Sequence, residues 1–78
     1  MKKINSKDLK LLLKKTFPNS KIPNNIIKLK IGKIKEWDSL GNFNFLLAIE
    51  NFYKIRFTID EISKIRSIQE IIYSIKKK

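Results

Sequence analysis

Residues 38–53 read Asp38-Ser39-Leu40-Gly41-Asn42-Phe43-Asn44-Phe45-Leu46-Leu47-Ala48-Ile49-Glu50-Asn51-Phe52-Tyr53. Leu40, Phe43, Leu46, Leu47 and Ile49 recur at helical spacing, on or near one broad apolar face, which predicts a helix from about Ser39 to Tyr53. Gly41 in its first turn costs up to about 1 kcal/mol against alanine. A helix of this kind needs other apolar faces to pack against, and the flanking sequence supplies them.

Downstream, the short link Lys54-Ile55-Arg56-Phe57 leads to two capping boxes. Thr58-Ile59-Asp60-Glu61 opens a short third helix, with the Thr58 hydroxyl and the Glu61 carboxylate satisfying reciprocal backbone donors. Ser67-Ile68-Gln69-Glu70 is expected to open the last helix in the same way. In that helix Ile68, Ile71, Ile72 and Ile75 form an i, i+3, i+4, i+7 stripe. Lys76, Lys77 and Lys78 suit the negative end of its dipole.

Upstream, Ser6 to Thr16 reads as the first helix, with Ser6 as its expected N-cap and Asp8 in the first turn. Leu9, Leu12, Leu13 and Phe17 make its apolar face, and Lys7, Lys10 and Lys14 lie mostly toward solvent. The segment from Phe17 to Asn25 contains Pro18 and Pro23 and is turn chemistry. In residues 26–36, Ile27, Leu29 and Ile31 alternate with Lys28 and Lys30 like a strand. With no convincing partner strand, the segment reads as a structured loop whose Ile and Leu side chains dip into the core. The expected architecture is all-α: a small four-helix bundle with three longer helices, one short helix and a long first loop, forming a single domain over residues 1–78.

Composition narrows the function. A chain of 78 residues buries only roughly 60% of its unfolded surface. It has no Cys and no His, so it lacks thiolate chemistry and the commonest general base and metal ligand. An enzyme is not expected, nor is a catalytic or metal-binding residue. The apolar runs are too short to span a membrane, and no signal-peptide pattern follows the basic first residues, so cytoplasmic residence is the default expectation. The net charge of +11 is unevenly placed: residues 1–35 hold eleven lysines against Asp8 alone. That basic half points to an acidic partner, a nucleic acid or a membrane surface, or else to compositional drift in a chain rich in Lys, Ile and Asn.

From Asp38-Ser39-Leu40 onward the chain resembles the acyl carrier protein family of phosphopantetheine-binding carriers. The tripeptide matches that family's attachment motif. The register after it follows the family pattern: a helix ending in the aromatic Tyr53, a short link, an acid-rich short helix from Thr58 to Ile65, and a Ser-capped final helix. The first helix and long loop also fit in length, so the resemblance covers nearly the whole chain. It implies that a phosphopantetheinyl transferase moves a 4'-phosphopantetheine arm from coenzyme A onto Ser39. The arm's thiol would carry acyl or aminoacyl groups as thioesters, so a chain without Cys would do thiol chemistry through a prosthetic group. The implied partners are the transferase and the loading and acyl-transfer enzymes, met transiently by a monomer.

Physical chemistry suits that site, because a helix N-terminus favours a phosphodiester and a loop-to-helix junction is accessible. Position alone makes Ser39 an N-cap; the register makes it the attachment residue. Asp38 reads as a dock for the transferase or as a second local cap. Leu40 reads as a partly exposed contact for partners, and Leu47 as a partner contact or as core. Trp37 is similar to residues in some stand-alone carriers outside housekeeping fatty-acid synthesis, or simply covers the bundle end. Phe45 and Phe52 form a hydrophobic docking face or enlarge the core.

The chain departs from housekeeping carriers in its charge. Their second helix is rich in carboxylates read by basic partner surfaces; here Glu50 is the one acid, and Gly41, Asn44, Asn51 and Phe52 occupy positions commonly acidic. A specialised member with dedicated partners is therefore expected. The rival readings are a carrier-like interaction module that is never modified and a basic helical protein that binds nucleic acid. Against the latter, no helix arrays Arg or Asn side chains to read base edges, so no nucleic-acid partner is expected.

Overall fold

Four helices emerge in chain order in the computed structural model, which describes residues 4–78: α1 (Ser6–Thr16), α2 (Ser39–Tyr53), α3 (Ile59–Lys64) and α4 (Ile68–Lys76). The all-α expectation holds, with the long loop between α1 and α2 and the short helix third. No helix among the described residues is long and apolar enough to cross a membrane.

The N-cap of α1 is Asn5, not Ser6: the Lys7 amide donates to Asn5 Oδ1 at 2.8 Å. Asn and Ser cap about equally well, so the choice falls to whichever side chain precedes the first helical turn. Leu9, Leu12, Leu13 and Phe17 are all buried, as their spacing requires. They pack with Phe45, Leu46 and Ile49 of α2 and with Ile68, Ile71 and Ile75 of α4 in one hydrophobic core. Ile72 is only half-buried, at the edge of the α4 stripe.

The long loop is wound rather than extended. A turn closes where the Leu29 amide meets the Ile26 carbonyl at 2.9 Å, which breaks the expected alternation. Ile26 and Ile34 are therefore the loop's buried aliphatics; Leu29 and Ile31 are half-buried, and Ile27 is exposed. The strand-like character survives as a single antiparallel bridge between Lys30 and Ser67. There the Ile31 amide donates to the Arg66 carbonyl at 2.8 Å and the Ile68 amide to the Leu29 carbonyl at 3.0 Å. The partner is the link between α3 and α4, which has no strand pattern of its own.

The reciprocal capping box forms at α3, but only its serine half forms at α4. At α3 the Thr58 side chain accepts from the Glu61 amide at 3.0 Å, and Glu61 accepts from the Thr58 amide at 2.8 Å. At α4 the Ser67 hydroxyl accepts from the Glu70 amide at 3.1 Å, but the Glu70 carboxylate reaches back to the Arg66 amide at 2.9 Å. The amide before the cap is thus the one satisfied, which anchors the link that pairs with the loop.

Candidate functional site

The head of α2 is built by the residues just before it. Asp38 adopts an extended conformation and accepts from the Gly41 amide through Oδ1 at 2.8 Å, so Asp38 is the N-cap. Ser39 is the first helical residue. This overturns the cap reading of Ser39 and supplies the one given as an alternative for Asp38. The Ser39 side chain is exposed, and no hydrogen bond engages its hydroxyl among the described residues.

Behind the cap the chain is tightly held. Trp37 is fully buried, and its indole Nε1 donates to Asn42 Oδ1 at 2.9 Å. The Asn42 side-chain amide donates in turn to the Ile65 carbonyl at 2.7 Å. One buried amide thereby ties the loop, α2 and the end of α3 together, with its carbonyl and amide ends both paired. Asn42 is absent from the sequence-derived site residues, and nothing in the sequence separates it from Asn44 and Asn51 of the same helix, which are exposed. Trp37 stacks on Phe17 and meets Phe45 edge-on at a centroid distance of 5.5 Å. Of its two readings, packing is the one the structure carries.

Gly41 is buried rather than a surface position. A Cβ there would collide with the Glu36 carbonyl oxygen and come 2.9 Å from the Phe17 ring. With no room for a charged side chain, it lets the loop close onto α2.

The outward side of α2 carries Leu40, Phe43 and Leu47, which are 71%, 43% and 39% exposed. Their i, i+3, i+7 spacing makes an apolar stripe on the solvent side. The core reading of Leu47 is overturned, as is the expectation that these three share a face with Leu46 and Ile49, which are buried. Phe45 and Phe52 separate as well: Phe45 is core, and Phe52 is exposed with its ring edge against Tyr53.

Around this stripe the carboxylates are engaged within the chain. Asp38 caps α2, and Glu50 accepts from the Phe57 amide at 2.7 Å. A shallow groove of about 240 Å³ beside Ser39 is lined by Ile31, Asn42, Phe43, Ile62, Ser63 and Arg66, with Arg66 its one charged residue. Glu50, Asn51, Lys54, Ile55 and Arg56 line a second groove with Leu47 at the other end of the stripe. The site is thus an exposed hydroxyl at a helix N-terminus, beside an outward apolar stripe with cations at both ends.

No protein-family model, no curated protein and no solved structure matches this chain.

Proposed function

We propose that the chain is a carrier protein bearing a 4'-phosphopantetheine arm on Ser39. The observation that supports this most is the spare, exposed hydroxyl of Ser39 at the head of α2, with the capping done by Asp38. In the loading step the Ser39 Oγ attacks the phosphorus of coenzyme A that bears the pantetheine, a phosphodiester to Ser39 forms, and 3',5'-ADP leaves. The hydroxyl proton passes to a base of the transferase, since this chain has no His to take it. The residues present fit the group. The amide end of α2 favours an anion, and Arg66 lines the groove that Ser39 shares. When bound, the arm supplies the thiol that holds acyl or aminoacyl cargo. That groove is small and open, so it suits a surface seat rather than an enclosed chamber.

Leu40, Phe43 and Leu47 provide the apolar surface on which the transferase and later enzymes would dock. Lys54, Arg56 and Arg66 around that stripe are the opposite of an acidic docking helix. Dedicated partners follow from this, because a basic receptor surface would be repelled.

Intact mass after co-expression with a broad-specificity phosphopantetheinyl transferase tests the reading. One phosphopantetheinyl group gained by the wild type and absent from Ser39→Ala is the expected result. No gain with several transferases overturns it and leaves an unmodified interaction module that uses the same apolar stripe. Tight, strongly salt-dependent DNA binding would instead favour the nucleic-acid reading.

A further inference from the structure

Part of the excess charge of the first half of the chain gathers on one face of α1. On α1, Leu11 is 55% exposed, although its neighbours Leu9, Leu12 and Leu13 are buried. Lys7, Lys10 and Lys14 surround Leu11 in one shallow groove. Lys7 and Lys10 also line an adjoining groove with Asn24, Asn25 and Ile27. Ile27, 37% exposed, belongs to the loop, which is tied to α1 by Lys10 Nζ donating to Asn24 Oδ1 at 3.0 Å. Among the described residues no carboxylate lines either groove, and α1's one acid, Asp8, is half-buried. None of these lysines enters a salt bridge among the described residues.

We propose that this face of α1 and the adjacent loop is a docking site for an anionic lipid surface, formed by Lys7, Lys10 and Lys14 around Leu11 and Ile27. Lysines near an anionic membrane each add about fivefold to the attraction, and exposed aliphatic side chains among them enter the boundary below the headgroups. A nucleic acid would use the lysines alone. It offers the two aliphatics nothing, and the face carries no Arg or aromatic side chain on which a base could stack. A short helix with few contacts binds reversibly, so the chain would visit the membrane rather than stay there. The inference is independent of Ser39, which lies on another helix.

The test is flotation of the full chain with vesicles of phosphatidylcholine alone and with about 30% phosphatidylglycerol, at about 0.1 M salt. Binding is expected to the anionic vesicles only, fading at about 0.5 M salt. Lys7→Glu with Lys14→Glu should weaken it at least about twentyfold, and Leu11→Ser, which leaves the charge unchanged, about threefold or more. Lys54→Glu with Arg56→Glu makes the same change of charge at the end of α2 and should cost less than about threefold. The altered side chains, other than Arg56, belong to residues on or capping helices and all are exposed, so circular dichroism should show each variant folded. Failure to bind anionic vesicles overturns the proposal. So does equal loss in the two charge-reversed variants, which would reduce the effect to net charge. Unchanged binding by Leu11→Ser overturns it too, since the attraction would then be that of any polyanion, nucleic acid included.

Discussion

The indole N–H of Trp37 and the side-chain oxygen of Asn42 are 2.9 Å apart, and both residues are buried. The other end of Asn42 holds the Ile65 carbonyl at 2.7 Å. A single side chain therefore joins the loop before the candidate site to the link after α3.

Replacing Asn42 with Leu should be among the costlier substitutions in α2. It leaves the Trp37 N–H and the Ile65 carbonyl buried without partners, a loss of roughly 2–6 kcal/mol at about 1–3 for each orphaned group. Urea unfolding followed by Trp37 fluorescence measures it. A loss under about 1 kcal/mol would mean that water or a neighbour replaces the amide.

Gly41→Ala sets two effects against each other. Helix propensity favours alanine by about 1 kcal/mol. The new methyl would strike the Glu36 carbonyl and the Phe17 ring. Backbone gives way less readily than a flexible side chain, so overpacking should win, for a net loss of about 1–3 kcal/mol in urea midpoint analysis. A stabilised variant would show that the loop is free to move off α2.

Asp38→Ala and Ser39→Ala should divide stability from chemistry. The first removes the cap on the Gly41 amide and should cost about 1 kcal/mol. The second removes an exposed hydroxyl with no partner and should change stability by less than about 0.5 kcal/mol. Thermal melts of the two variants side by side check the contrast. A large loss in Ser39→Ala would return the capping role to Ser39.

Glu61 sets an acid limb of stability. The hydrogen bond from Lys78 Nζ at 2.8 Å, then that from the Thr58 amide, hold its carboxyl below the ordinary value of 4.5. The folded state thus binds this proton more weakly than the unfolded chain does. The contribution is fully present above the ordinary glutamate value and is lost as pH falls from there through the lowered folded-state value. Melting temperatures between about pH 6 and pH 3 should fall more steeply for the wild type than for Glu61→Gln. Parallel curves would show that the Lys78 pair contributes nothing.

Much of the fold was legible in the residues. The bounds of α1 and α2, Ser6–Thr16 and Ser39–Tyr53, match the expectation, because the turn chemistry of Pro18 and Pro23, the caps and the apolar periodicity act locally. The Thr58–Glu61 box formed as its spacing requires. The candidate site was legible in part. Asp38, Ser39 and Leu40 do lie at an accessible helix start, but the division of labour between Asp38 and Ser39 depended on which side chain precedes the first turn. Asn42 was missed because its partners, Trp37 and the Ile65 carbonyl, come from opposite directions along the chain.

By itself, the sequence determined an all-α chain with a long first loop, no thiol or imidazole chemistry of its own, and a serine at a helix head. Those properties follow from composition and from interactions within a few residues. Only the tertiary structure decided which side of α2 faces the core. That helix is apolar on both sides: Phe45 and Leu46 are buried, while Phe43 and Leu47 face solvent. Hydrophobic spacing shows that a face exists, but the packing of α1 and the loop against α2 chooses which one is covered.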